Sequence, residues 1–225
     1  MKKILTVILT LLICFSGKTQ HNQKEAIFTS IKSLSIGFKV GINLTTITVD
    51  LGPEEKLMPK FQGTLALRKR YSKVYSIQPE LQYSRQGYYL ASTGPTGYKD
   101  NFITEYLNFT PFSRFDFGKS KTNFFILLGP YIGMMVNGKE KVSFTYFNGD
   151  TENHTNYLTD YSIYNRFDLG VSFGVGISQT LKSGDQIVFD SHLNGGFITV
   201  LKKEFNTNMF NLYNSFSIGY LYKFR

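Results

Sequence analysis

The chain is predicted to be all-β: an eight-stranded antiparallel up-and-down transmembrane β-barrel with short periplasmic turns and long external loops. Three observations predict this. Eight separate stretches alternate apolar and polar residues with a period of two, as Ile36, Phe38, Val40, Ile42 and Leu44 do against Ser35, Lys39, Gly41 and Asn43. The connections between the stretches alternate long and short, the pattern of a barrel whose turns are tight at one end and looped at the other. Most stretches also reach the roughly 9–11 residues that a tilted strand needs to cross a bilayer.

The first 20 of the 225 residues carry the marks of a secretory signal peptide, with Lys2 and Lys3 ahead of an apolar run at 4–15 and small residues Ser16, Gly17 and Thr19 behind it. That run is too short for a membrane-spanning helix of about 20 residues. Cys14 follows Leu11, Leu12 and Ile13, but Ile13 is bulky where a lipoprotein signal carries a small residue, so a simple signal peptide is expected. Cleavage would remove the only cysteine, and with it disulfide and thiolate chemistry. It would also remove Lys2, Lys3 and Lys18, lowering the formal charge from +9 to +6. Such an excess suits solubility and anionic headgroups; no nucleic-acid role is expected without a denser basic stripe. Residues 21–33 are polar and aperiodic, a periplasmic lead-in to a barrel domain at 34–225.

Strands are predicted at about 34–46, 61–70, 74–84, 104–117, 123–136, 164–181, 186–200 and 210–224. The third sets Tyr75, Ile77, Pro79, Leu81 and Tyr83 against Ser76, Gln78, Glu80 and Gln82, and the sixth sets Phe167, Leu169, Val171, Phe173, Val175 and Ile177 against Asp168, Ser172 and glycines. The fifth is apolar on both faces, yet Gly129, Pro130 and Gly133 disfavour a helix there. Tight connections fall at 71–73, 118–122 and 182–185, and long ones at 47–60, 85–103, 137–163 and 201–209. One register accommodates all seven with both termini periplasmic. Pro79, Pro111 and Pro130 lie in the apolar phase of their strands, where a closed sheet has no edge to absorb a missing donor, so a bulge is expected at each.

Segments around those prolines carry a family resemblance. Gly37-Phe38-Lys39-Val40-Gly41-Ile42-Asn43 is followed by Ile77-Gln78-Pro79-Glu80-Leu81-Gln82-Tyr83-Ser84-Arg85-Gln86-Gly87, then by Tyr106-Leu107-Asn108-Phe109-Thr110-Pro111, by Gly129-Pro130-Tyr131-Ile132-Gly133, and by Gly219-Tyr220-Leu221-Tyr222-Lys223-Phe224. In this order and spacing the chain resembles the PorT-like outer-membrane β-barrel family of Gram-negative bacteria. The resemblance implies an outer-membrane location and the same barrel. The family's namesake is linked to protein secretion, while most members have no assigned biochemistry.

A soluble ligand-binding barrel would place the apolar face inside. The polar face here is glycine-rich and carries both signs of charge, which suits the opposite arrangement: apolar side chains toward lipid, with Tyr71, Tyr75 and Tyr222 anchoring the interface. Eight strands leave an interior just wide enough for side chains to fill. A structural polar network is therefore expected from Lys39, Glu80, Arg114, Asp168, Asp190 and His192, with Glu80 facing Arg114 or Lys39.

No enzyme is expected. The positions two residues either side of His192 hold Asp190 and Asn194 rather than a nucleophilic serine. His154, Asp150 and Glu152 are read as a solvated loop cluster, and Gly94-Pro95-Thr96-Gly97 as a turn. No cofactor or metal is expected. The predicted partners are outer-membrane lipid and a protein or glycan at loop 137–163, whose Phe144, Tyr146, Phe147, Tyr157 and Tyr161 sit among polar residues, although the loop reads equally well as a mere extension of its hairpin above the membrane. The expected role is structural or interaction-based and monomeric. The alternatives are an accessory to a secretion machinery, a lipid A-modifying enzyme and a secreted soluble binder.

Overall fold

The computed structural model describes residues 33–48, 55–56, 58–92, 97–118, 121–157, 164–200 and 210–224. The predicted signal peptide and residues 21–32 of the lead-in lie outside them, as does the predicted loop 201–209. The strands are β1 (Ser33–Thr48), β2 (Glu55–Lys56), β3 (Met58–Arg70), β4 (Tyr75–Ser92), β5 (Gly97–Phe117), β6 (Thr122–Thr145), β7 (Thr151–Tyr157), β8 (Phe167–Thr180), β9 (Gln186–Thr199) and β10 (Phe210–Lys223). Pairing is antiparallel in the order β4-β3-β1-β10-β9-β8-β6-β5, and β5 pairs β4 in turn. Chain neighbours are thus sheet neighbours, and the first long strand meets the last from Ser35↔Lys223 to Thr48↔Phe210.

Alternation sets the two faces. Outward side chains are apolar and open, such as Phe38 (53% exposed), Phe124 (63%) and Ile218 (56%), while inward ones are polar and closed, such as Arg114 and Asn43 (both 0%). Along β5 the outward apolar series runs from Leu107 to Phe117. Ten steps at about 3.3 Å, tilted by about 40°, cover about 25 Å, the height of the apolar band on a membrane barrel. A water-soluble protein rarely exposes so large a continuous apolar surface.

The tight connections at 71–73 and 182–185 stand where the sequence places them, while residues 119–120 of the third lie outside the described residues. Tyr71 and Ser72 donate their amides to the Tyr75 carbonyl, and Leu181 donates to Asp185 across a turn that needs Gly184 at φ +94°. Tyr71 and Tyr75 stack at 6.1 Å at this end.

Two expectations are corrected. The loops predicted at 47–60, 85–103 and 137–163 contain much strand: β4 and β5 pair as far as Ser92↔Tyr98, and β6 continues to Thr145, where a turn with Gly149 at φ +85° returns the chain as β7. Pairing there outlasts the apolar band, so the composition turns polar while the strands go on. The second correction concerns the prolines, where pairing keeps its register. The β3–β4 ladder is interrupted after Ala66↔Glu80 and resumes in step at Lys69↔Ile77, and the β5–β6 ladder does the same between Phe109↔Ile132 and Ser113↔Leu128. Pro79 lies directly across from Pro111, and the unchanged β5–β6 register sets Pro111 across from Pro130. Three missing donors thus share one patch of β4–β5–β6. The register shifts come instead at Glu105/Tyr106 and Phe210/Leu212.

Candidate functional site

The inward phases of β1, β3, β4, β5, β8, β9 and β10 fill the interior with polar side chains in three layers. In the middle layer the Lys39 ammonium lies 2.7 Å from Glu80 Oε1 and 2.9 Å from Asp190 Oδ2. Gln78 Nε2 donates to Glu80 at 2.7 Å, and the Ser217 hydroxyl donates to Asp190. His192 Nε2 stands 3.5 Å from Asp190 Oδ1, with its ring edge-on to Phe112 at 5.1 Å. Gly174 leaves room for that imidazole, since a Cβ there would lie 2.7 Å from its Cδ2. One cation between two carboxylates, each with a further donor, keeps any charge from being stranded in a medium where that is costly.

The layer toward the tight turns centres on Asp116. Arg114 Nη2 reaches its Oδ1 at 2.9 Å, and the Arg114 guanidinium stacks 3.7 Å over the Phe125 ring. Arg68 pairs with Asp116 Oδ2 while its Nε donates to Ser76 at 3.0 Å and its Nη1 to Gln186 at 2.5 Å. At the opposite end Asp168 Oδ2 accepts from Tyr131 Oη and Asn211 Nδ2, both at 2.9 Å. Amides and hydroxyls link these levels, among them Asn43 Nδ2 to Ser84 Oγ at 2.8 Å and Ser215 Oγ to Asn43 Oδ1 at 2.7 Å.

All six residues singled out from sequence are therefore buried, but they are not one cluster. Lys39, Glu80, Asp190 and His192 come together. Glu80 takes the lysine of its two expected partners, and Arg114 pairs two residues along its own strand with Asp116. Asp168 stands apart among tyrosines. Arg68 and Asp116 join the network without having been expected in it, and Tyr106, Tyr131 and Tyr213 are buried without having been expected inside. For Tyr131 the available signal was the fifth strand's second apolar face, whose Phe125, Leu127, Tyr131 and Met135 all point inward.

The β6–β7 hairpin offers a second surface. Phe144, Tyr146, Phe147 and Tyr157 are exposed, and the rings of Tyr98, Phe144 and His154 follow one another at 5.3 and 6.4 Å. Glu152 accepts from Tyr146 Oη at 2.8 Å and lies 3.0 Å from His154 Nε2. The Tyr146 hydrogen bond first, and the His154 charge second, hold the Glu152 carboxyl below its ordinary value. Tyr161 of the same predicted loop lies outside the described residues.

A family model described as "Outer membrane protein beta-barrel domain" matches residues 19–202. No curated protein matches the chain. Among solved structures, the chain is similar to Ail, the attachment invasion locus protein of Yersinia pestis, at 14% identity over 86% of this chain and all of that one, with a TM-score of 0.42. Neisserial surface protein A is 15% identical over 85% of this chain and 97% of that one, TM-score 0.42. The outer membrane enzyme PagL is 14% identical over 84% and 98%, TM-score 0.37.

Proposed function

We propose, since the chain belongs to the outer membrane protein beta-barrel domain family and resides in the outer membrane, that it is a monomeric eight-stranded up-and-down barrel with a plugged interior. A signal peptide at 1–20 directs export, both termini are periplasmic, and the β6–β7 hairpin stands outside the cell. Its role is structural or interaction-based, through the hairpin, without catalysis. The observation that supports this is the buried bridge from Lys39 on β1 to Glu80 on β4 and Asp190 on β9, each two strands away in the sheet, which sets charged side chains inside where a pore would need open space. Aromatic rings beside Glu152 on the hairpin suit a protein or glycan partner, because flat apolar faces and a fixed acceptor recognise both.

The test is permeability. Vesicles reconstituted with the protein are expected to show no steady single-channel conductance and no swelling in small sugars, while a general porin assayed alongside gives both. Steady conductance from the folded protein contradicts a plug. A second reading, an accessory to a secretion machinery, draws on the ordered PorT-like segments. It expects a stable complex to co-purify from detergent extracts.

A further inference from the structure

The end of the barrel that carries the tight turns contains a cavity of about 110 Å³, lined by Ser33, Ser35, Arg68, Arg70, Thr180, Gly184, Gln186 and Lys223. One buried water needs only about 10–15 Å³, so there is room for a phosphate group and accompanying water. Register assembles the wall: Arg68 and Lys223 flank Ser35 on either side, Arg70 is opposite Ser33, and Thr180 is opposite Gln186. Among the described residues the wall holds three cations and no carboxylate.

The charge behind the wall is unbalanced as well. Asp116 is shared by three guanidinium groups: Arg68 and Arg114 bind it directly, and Arg70 Nη2 stands 4.0 Å away. Asp185 lies near and keeps its negative charge while accepting from the Lys223 backbone amide at 2.9 Å, from Tyr220 Oη at 2.7 Å and from Ser183 Oγ at 2.6 Å. Asp116 and Asp185 together thus face the four cations Arg68, Arg70, Arg114 and Lys223, and a positive excess remains. Arg68 is almost fully buried and spends three of its five N–H groups on Ser76, Gln186 and Asp116. A fixed guanidinium, a second one beside it, an ammonium and three hydroxyls converge on one small volume. Forked guanidinium donors match tetrahedral oxyanions, and the surplus of positive charge favours a dianion.

We propose that this cavity is a binding site for a phosphate monoester or inorganic phosphate, held between Arg70, Lys223 and the remaining donors of Arg68. The group comes either free from solution or from a lipid headgroup at the barrel rim. The assignment of this rim to the periplasm rests on the orientation proposed above; the site itself does not.

The protein, folded in an amine-oxide detergent that carries no phosphate, is titrated calorimetrically with inorganic phosphate and with short-chain phosphatidic acid. Saturable one-site binding is expected, weakened at least tenfold in Arg70→Gln/Lys223→Gln and unchanged in Lys141→Gln on the distant hairpin. If the double variant fails the heat-modifiable gel shift of a folded barrel, Lys223→Gln alone, at the last residue of β10, is used. Binding of inorganic phosphate that depends on Arg70 and Lys223 assigns a soluble source. Dependence on these residues seen only with phosphatidic acid assigns the lipid. Failure of both ligands to saturate, or equal binding by the variant, overturns the site. An outward-facing cavity end in intact cells would leave binding unchanged and move only its compartment, so the two failures are distinguishable.

Discussion

Replacing Lys39 with alanine is expected to destabilise the folded barrel by about 3–5 kcal/mol, the cost of breaking a buried ionic cluster from one side. The ammonium is the cation between Glu80 and Asp190, and all three side chains are at most 3% exposed. Without it, Glu80 keeps its Gln78 donor, and Asp190 keeps Ser217 and the more distant His192. Two carboxylates then share an interior with no neutralising charge between them. The measurement is the urea midpoint of unfolding from phosphatidylcholine vesicles, followed by far-ultraviolet circular dichroism and gel mobility. A companion variant, Lys39→Met/Glu80→Leu/Asp190→Leu, is expected to recover most of the loss, because removing every charge also removes the desolvation penalty. A Lys39→Ala midpoint equal to that of the parent would mean the bridge does not hold the strands together.

The second large effect belongs to the opposite face. Arginine at Val171 is expected to cost about 2–4 kcal/mol in the same assay, the penalty for a cation near the bilayer midplane on a barrel's lipid side. Val171 lies midway along the outward series of β8 and is 44% exposed. Its cross-strand neighbours are Pro130 and Gly195, neither of which offers a side-chain acceptor. Arginine at Phe147, 81% exposed beyond the apolar band, is expected to change stability by less than about 0.5 kcal/mol. Equal costs at the two positions would deny the membrane its place around β8.

How far the sequence reaches follows from what period-two alternation encodes. Parity alone tells which way a side chain points, so Lys39, Glu80, Arg114, Asp168, Asp190 and His192 were all legible as inward. It does not encode which inward residues meet. Lys39 reaches Asp190 across the interior from a non-adjacent strand, and that proximity depends on the stagger of all eight long strands. Arg114 meets Asp116 because two inward residues of one strand stand side by side, a local pairing that a search for cross-strand partners overlooks. The prolines mislead for a related reason. Taken one strand at a time, each demands a bulge, and only the register reveals that Pro79, Pro111 and Pro130 fall in one row. Beyond the membrane, β5 and β6 lose the apolar alternation that marks a strand. Lys139, Lys141 and Ser143 look like loop, although backbone pairing with Ile103, Asn101 and Lys99 carries the sheet on.

The claim beneath all of this is that apolar side chains face lipid while charged ones meet inside. The chain contains no tryptophan, so a single one reports cleanly. Phe173→Trp, at an outward position 47% exposed in the middle of β8, is measured in vesicles with acyl chains brominated at mid-depth and again with aqueous acrylamide. Strong quenching by the brominated chains and little by acrylamide is the predicted result. Strong acrylamide quenching with no effect of bromine would place that face in water and contradict the account.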